Sequence, residues 1–273
     1  MSRWILAFAL AAKILAAQPA VVVTPISDSL PGMALVGPSD PDFLLAVQAL
    51  IGAADFASYQ PGLPYSVLVR NGTSQALIDA CVIFDVTQAN GKKDGSLAWC
   101  MGSIPPPAGA KPLLAPGAQL LASAIANYAY ITPRRNPPLP APATRLAELS
   151  SAASITISLD SVLFADGTFA GPDTRNNFVQ DSQKLAADQA FAAAVLSYQS
   201  GSVSGLQSYL DSEAVADRSG GLGSQLNYVH RMAAHARLLK KVLAKPAPKG
   251  GAAQVFASAT ALANDAAGFN LHK

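Results

Sequence analysis

The sequence predicts an α+β protein in which a short helix precedes a β-sandwich and a helical C-terminal region follows it. Between residues 60 and 171, several segments carry apolar residues at every second position, which is typical of half-buried strands. After Gly171-Pro172 the apolar residues recur with a period of about 3.6, which is typical of amphipathic helices. We therefore expect an N-terminal segment at 18–59, a β-sandwich domain at 60–171 and a helical region at 172–273.

Residues 1–17 have the pattern of an export signal. A basic start, "MSR", precedes the apolar run "WILAFALAA", and the small-residue stretch "ILAAQ" predicts cleavage after Ala17. Lys13 interrupts the apolar stretch, so a buried N-terminal helix is the alternative. The run is too short to cross a bilayer, which takes about 20 residues. This pattern predicts a secreted or periplasmic protein with no stable membrane span.

Charge is sparse and unevenly distributed. Only 13% of the 273 residues are charged, about half the usual ~25%. The formal net charge of +2 disappears when residues 1–17 are removed, because Arg3 and Lys13 leave 17 residues of each sign. Residues 218–273 then carry eight basic residues against Asp265, a net charge of +7. Residues 18–217, with nine basic and sixteen acidic residues, carry −7.

The short helix is predicted at residues 39–52. Ser39 or Asp40 can cap its start, Pro41 suits the first turn, and Gly52 suits the end. One side of this helix is apolar and is expected to face the core: Phe43, Leu44, Val47, Leu50 and Ile51.

A β-hairpin is predicted around Asn90-Gly91, a dipeptide that favours two-residue type I′ turns. In that register Cys81 faces Cys100 and Val82 faces Trp99. Alternation then places Trp99 in the core and both cysteines on the outer, solvated face.

The two cysteines are predicted to form a disulfide. At a hydrogen-bonded pair their Cα atoms would be about 5.5 Å apart, within the range that a disulfide accepts. An oxidised bridge suits an exported protein. Two free thiols are the alternative, and a zinc site is disfavoured because it wants four ligands. The sequence thus predicts a structural disulfide between Cys81 and Cys100, with no metal and no cofactor.

Further strands are predicted at residues 65–70 and 154–164, with a turn at Asp166-Gly167. The proline-rich stretches 105–117 and 133–145 are expected to be loops, because proline cannot donate to a central ladder. Residues 118–131 fit a strand, although their alanine content leaves a helix open. Five to seven such strands favour an immunoglobulin-like or fibronectin-like sandwich.

Two segments carry a resemblance to a known type of domain. "LPYSVLVRNGTSQALIDACVIFDV" resembles the strand, turn and strand of immunoglobulin-like sandwich domains in exported bacterial proteins, and "VLFADGTFAGPD" before a polar helix is similar to segments of uncharacterised members. The resemblance covers about residues 60–200. It implies the fold and the exported location and carries no activity.

The apolar pattern of the C-terminal region predicts four helices. The third, at residues 223–244, is basic on one side. His230, Arg237, Lys241 and Lys245 cluster there at 100° per residue. This cluster is a candidate face for an anionic partner. It can also be a simple solvated face, dock on the acidic part of this chain or of another chain, or bind an acidic polymer or a membrane surface. Aromatic residues for base stacking are missing from it, so nucleic-acid binding is not predicted.

No catalytic motif is apparent. His230 and His235 are five residues apart and would point about 140° apart on a helix, and neither "GxSxG" nor "HExxH" occurs. Asp166 and Asp173 fit a plain turn better than a calcium site. The sequence therefore predicts a non-enzymatic binding or structural module whose partner is an unknown protein or an envelope component. The alternatives are a secreted hydrolase of unreadable type and a carbohydrate-binding accessory module.

Overall fold

The structure, a computed structural model, describes residues 20–23, 30–102, 104, 106, 109–125, 143–216, 226–246 and 250–273. The predicted export signal lies outside these residues. The side chain of Trp99 also lies outside the described part, so its inward orientation stays a prediction.

The larger sheet has five strands and is mixed. Four strands lie in the order β1-β7-β4-β5, and β8 pairs with the other half of β7. β1 runs parallel to β7, whereas all other pairs are antiparallel. The strands are β1 (Ala20–Val23), β4 (Leu77–Gln88), β5 (Lys93–Gly102), β7 (Ala152–Phe164) and β8 (Phe169–Ala170).

The smaller sheet is antiparallel, in the order β2-β3-β6, with β2 at Met33–Val36, β3 at Ser66–Asn71 and β6 at Gln119–Ser123. Within the predicted strand 118–131, residues 119–123 form a strand, and residues 126–131 lie outside the described part of the chain. The two sheets share one apolar core, in which Val69 of the smaller sheet and Phe84 of the larger one are fully buried. This core is closed by residues of three helices: α1 (Phe43–Ile51), α2 (Ala53–Tyr59), which leads into a 3-10 helix at Gln60–Tyr65, and α3 (Ala143–Ser150).

The C-terminal region forms four helices: α4 (Asn177–Ser197), α5 (Val203–Ala216), α6 (Leu226–Leu243) and α7 (Ala252–Ala267). Apolar side chains from all four build a second core around Phe191 and Leu210. A third apolar cluster, which includes Leu163 of β7 and Leu185 of α4, packs the helices onto the larger sheet. The fold is thus layered, with the larger sheet between the smaller sheet and the helices.

The α+β class is confirmed, but the immunoglobulin-like β-sandwich is wrong. The two sheets do not form a closed sandwich of that type, because β1 joins in parallel and the helical layer covers the second face of the larger sheet. β4 is consequently buried on both faces, whereas the prediction left one face in water. The domain boundaries after residues 59 and 171 stay a prediction.

The hairpin has the predicted register but a different turn. Cys81 pairs with Cys100 and Val82 with Trp99. Gly91 alone in the turn has a positive φ, and Gln88 both donates to Lys92 and accepts from Gly91, so three residues form the loop. A one-residue shift between Val86 and Phe84 then restores the register, because β5 contains an extra residue there. A bulge therefore compensates for the longer turn.

The end of the described chain folds back onto the turn after β7. His272 accepts a backbone hydrogen bond from Phe169 (2.7 Å) and donates one to Gly167 (3.0 Å). Lys273 binds the carboxylate of Asp173 at 2.9 Å and lies 4.9 Å from the ring centroid of Phe178. These contacts tie His272 to the turn after β7 and Lys273 to the start of α4.

We expect Gly167→Ala to lower the free energy of unfolding by roughly 2 kcal/mol. Gly167 has φ +94°, and an added Cβ would lie 2.0 Å from the carbonyl oxygen of Asn270. Gly109→Ala is the matched control, since Gly109 also has a positive φ (+74°) but no atom within 4 Å of an added Cβ. Urea unfolding measures both variants, and equal losses would show that the contact with Asn270 does not hold the tail.

Candidate functional site

One hydrogen-bonded side-chain cluster comprises Asp188 of α4 with Arg231 and His235 of α6. Asp188 is fully buried. Arg231 donates two hydrogen bonds to it, from Nε to Oδ1 (2.7 Å) and from Nη2 to Oδ2 (2.8 Å). His235 Nε2 lies 2.6 Å from Oδ1. Arg231 and His235 are four residues apart on α6, so they share one face of the helix. We call these three residues the Asp188 cluster.

Electrostatics keep Asp188 ionised. Burial on its own would raise the pKa of this carboxyl, but the hydrogen bonds and positive charge of Arg231 and His235 outweigh it and hold the pKa below its ordinary value. The same bonds raise the pKa of Arg231. Arg231 also contacts the main chain, because its Nη2 donates to the carbonyl oxygen of Ile104 at 3.2 Å. The cluster therefore joins α4, α6 and the segment after β5.

The His235 ring contacts an aromatic residue and a carboxylate. The His235 ring stacks on Phe191 with centroids 5.3 Å apart, and one ring nitrogen is taken up by Asp188. In the part of the chain that the structure describes, no hydroxyl or thiol donates to this ring. An aspartate and histidine pair needs such a nucleophile to perform acyl transfer.

A second buried carboxylate, Asp160 of β7, anchors the start of α4. Its Oδ1 accepts from both the backbone N–H (2.8 Å) and the hydroxyl (2.6 Å) of Thr174, and its Oδ2 accepts from the side-chain amide of Asn177 at 3.1 Å. The same amide donates to Ser161 at 3.1 Å. Asp160 is therefore satisfied by structural partners, and we call this set the Asp160 network.

The disulfide between Cys81 and Cys100 is confirmed. It lies beside the Asp160 network, since Ser161 pairs with Cys81 and the Cys100 sulfur lies 3.8 Å from the Asn177 amide oxygen. The prediction that both cysteines face water is wrong for Cys81, which is buried because the start of α4 covers this part of the sheet. Cys100 is exposed.

Asp181, which lies on α4, is the third buried carboxylate of the described residues, and one of its oxygens has no hydrogen-bond partner. Its Oδ1 binds Lys184 at 2.9 Å, but its Oδ2 is buried without a hydrogen-bond partner. Burial raises the pKa of Asp181, and the nearby Asp173 adds to this effect, although Lys184 opposes it. The charged form of Asp181 is thus a cost to the fold.

We expect Asp181→Asn to raise the free energy of unfolding at neutral pH by about 1 kcal/mol, because it removes a desolvated charge. When folding raises the pKa of an acid, the folded state is favoured at low pH. The free energy of unfolding then falls as the pH rises through the folded pKa. The gain from Asp181→Asn should therefore shrink as pH falls and wild-type Asp181 becomes protonated. Chemical unfolding at several pH values measures this; a variant less stable than wild type at neutral pH would show that Oδ2 has a partner.

The predicted anionic-partner residues share one exposed face of the α6 helix and the turn after it. His230, Arg237, Lys241 and Lys245 are all exposed. Arg237 also donates to the Ala214 carbonyl oxygen at 3.3 Å, near the end of α5. We call these four residues the α6 basic stripe. Its role in binding an anionic partner stays a prediction.

Part of the basic C-terminal charge is used inside the molecule. Arg231, Lys240 and Lys273 bind carboxylates of the acidic part of the chain, Asp188, Asp211 and Asp173 respectively. The charge split in the sequence therefore contributes to docking of the helices. The sequence analysis did not identify Asp160, Asp181 or Asp188, nor the pairing of His235 with a carboxylate. The position of Arg231 and His235 on one helix face was a signal for that pairing.

Two grooves of the described structure are lined by residues other than Asp160 and Asp188. A groove of about 570 Å³ is lined by Phe178, Val179, Ser182, Gln183, Ala186 and Tyr228. A second, of about 430 Å³, lies between Ile78, Pro112 and Phe269. Neither is lined by Asp160, Asp188 or His235.

Within the described residues, no group of three or more His, Cys, Asp or Glu side chains is placed to hold a metal ion. No single described helix is long and apolar enough to cross a membrane; the bent pair of α1 with Ala53–Tyr65 meets that length and apolarity only when taken together.

No protein-family model, curated protein or solved structure matches this chain.

Proposed function

We propose that the protein is a secreted or periplasmic, non-enzymatic binding or structural module. One observation carries this proposal: the oxygens of the buried carboxylates Asp160 and Asp188 are hydrogen-bonded to structural partners, and neither residue lines the two grooves described above. Catalytic groups usually converge on a concave pocket with a vacant position for substrate. Here the hydrogen bonds of Asp188 join two helices, and those of Asp160 join the larger sheet to the start of α4.

The exported location is supported by the disulfide, which is compatible with an oxidising compartment. The signal-like residues 1–17 point the same way. Fractionation of the source cells with alkylation of free thiols tests the location. We expect the protein outside the cytoplasm with Cys81 and Cys100 protected until reduction; a cytoplasmic protein with both thiols alkylated would refute this part.

The hydrolase alternative has one observation in its favour. His235 lies 2.6 Å from a buried, ionised Asp188, an arrangement that orients a general base in many hydrolases. His235→Gln distinguishes a structural role of His235 from a catalytic one. Glutamine can retain a hydrogen bond to Asp188 but cannot accept and return a proton. We expect wild type and His235→Gln to be equally inactive on chromogenic esters, peptides, glycosides and phosphate monoesters. Turnover by wild type that His235→Gln abolishes would replace our proposal by the hydrolase.

A further inference from the structure

Two exposed helix faces of this protein have complementary chemistry. The first lies at the start of α1, where Asp40 and Asp42 are exposed beside Leu44 (54% exposed) and Leu45 (70% exposed). We call these four residues the α1 patch. The second is the α6 basic stripe, which is flanked by Leu238 (58% exposed). Each face therefore combines exposed leucine with charge of one sign.

Neither helix contains a residue of the charge opposite to that of its face. α1 contains no basic residue, and α6 contains no acidic residue. Within α6 the stripe extends from His230 to Lys241, about 16 Å at 1.5 Å per residue, and Lys245 follows in the turn after the helix. Lys240, which binds Asp211, belongs to the neighbouring face and leaves Lys241 and Lys245 outside that pair.

One copy of the chain does not bring the two faces together. α1 packs its buried residues Phe43 and Val47 into the core shared by the sheets, whereas α6 belongs to the helical core on the other side of the larger sheet. The leucines of both faces are more than half exposed in the isolated chain. An acidic and apolar face on one side and a basic and apolar face on another can meet only between molecules.

We propose that the α1 patch of one copy binds the α6 basic stripe of a second copy. The net charges of the two parts of the chain, −7 for residues 18–217 and +7 for residues 218–273, favour this orientation over like-to-like contacts. Because the two surfaces differ, the contact is heterologous, and it extends head to tail into a ring or an open filament. This inference rests on the proposed function, since self-assembly is what a structural module would do.

Sedimentation velocity of the purified protein tests the proposal. We expect concentration-dependent association at about 50 mM salt that weakens about tenfold or more at 500 mM, because exposed charges are screened. Lys241→Glu with Lys245→Glu should abolish association, and so should Asp40→Lys with Asp42→Lys, because like charges then meet. Mixing the two variants should restore association, because their remaining and reversed faces are complementary again.

Lys92→Glu with Lys93→Glu is the matched control, since it makes the same change in net charge on an exposed hairpin distant in sequence from both faces. It should associate like wild type. Circular dichroism and thermal unfolding show whether each variant is folded. A wild-type monomer at low salt, or equal losses in the control and stripe variants, would overturn the proposal.

A membrane surface is the competing target for a basic stripe with an exposed leucine. Flotation with vesicles of phosphatidylglycerol and phosphatidylcholine distinguishes it. Monomeric wild-type protein that floats with these vesicles, and no longer does so after Lys241→Glu with Lys245→Glu, would overturn the proposal in favour of the membrane. The result also separates this inference from the proposed function, which is refuted by substrate turnover whatever the oligomeric state.

Discussion

Asp188→Ala should lower the free energy of unfolding at neutral pH by about 3–5 kcal/mol, the usual cost of removing one partner from a buried ion pair. The substitution leaves Arg231 and His235 facing a cavity, and it removes three hydrogen bonds to a side chain with no solvent exposure. Asp188→Asn should cost less, because the amide retains the shape and one acceptor.

Chemical unfolding measures this loss, and Asp211→Ala is its control. Asp211 also pairs with a cation of α6, Lys240, but both side chains are substantially exposed. Exposed pairs contribute little because solvent screens them. An Asp188→Ala protein as stable as Asp211→Ala would mean that the buried cluster does not hold α4 to α6.

The Asp188 carboxylate also makes the free energy of unfolding depend on pH. The pKa of Asp188 is lowered by folding, so its contribution is present above the unfolded value of about 3.9 and is lost as pH falls through the folded pKa. Asp188→Asn should therefore unfold with a weaker dependence on pH in the acid range than wild type.

Removal of the disulfide is the second large effect that we expect. Cys81→Ala with Cys100→Ala should lower the free energy of unfolding by about 2–3 kcal/mol. The bridge closes a loop with a sequence separation of 19, and the hairpin already limits that loop, so the loss falls below the full entropic value.

Reduced wild-type protein is the control for this pair of substitutions, because it lacks the bridge but keeps both sulfur atoms. It should lose nearly as much stability as the alanine variant, with the difference reflecting the packing of buried Cys81. Equal stability of oxidised and reduced wild type would show that the disulfide does not contribute to the fold.

Local patterns predicted the local structure well. The pairing of Cys81 with Cys100 followed from alternation on two strands that are close in sequence, and the helices after residue 172 followed from their apolar period. The turn at Asp166-Gly167 is also present, with Gly167 at positive φ. These features depend on neighbouring residues, which the sequence displays directly.

Long-range packing was not predictable in the same way. The parallel pairing of β1 with β7 joins segments more than 130 residues apart and leaves no periodic signal. The buried face of α4 contains Asp181 and Asp188, and an aspartate in a helix ordinarily indicates a solvated side. The helical layer that buries Cys81 was therefore invisible from the strand pattern, and the sandwich prediction failed there.

The hydrogen bonds of Asp188 to Arg231 and His235 hold α4 to α6. A double-mutant cycle measures this coupling directly, with unfolding free energies for Asp188→Ala, Arg231→Ala, the double variant and wild type. We predict a coupling energy of about 1–3 kcal/mol, because the loss of either partner already removes the shared hydrogen bonds. Losses that simply add would contradict this coupling.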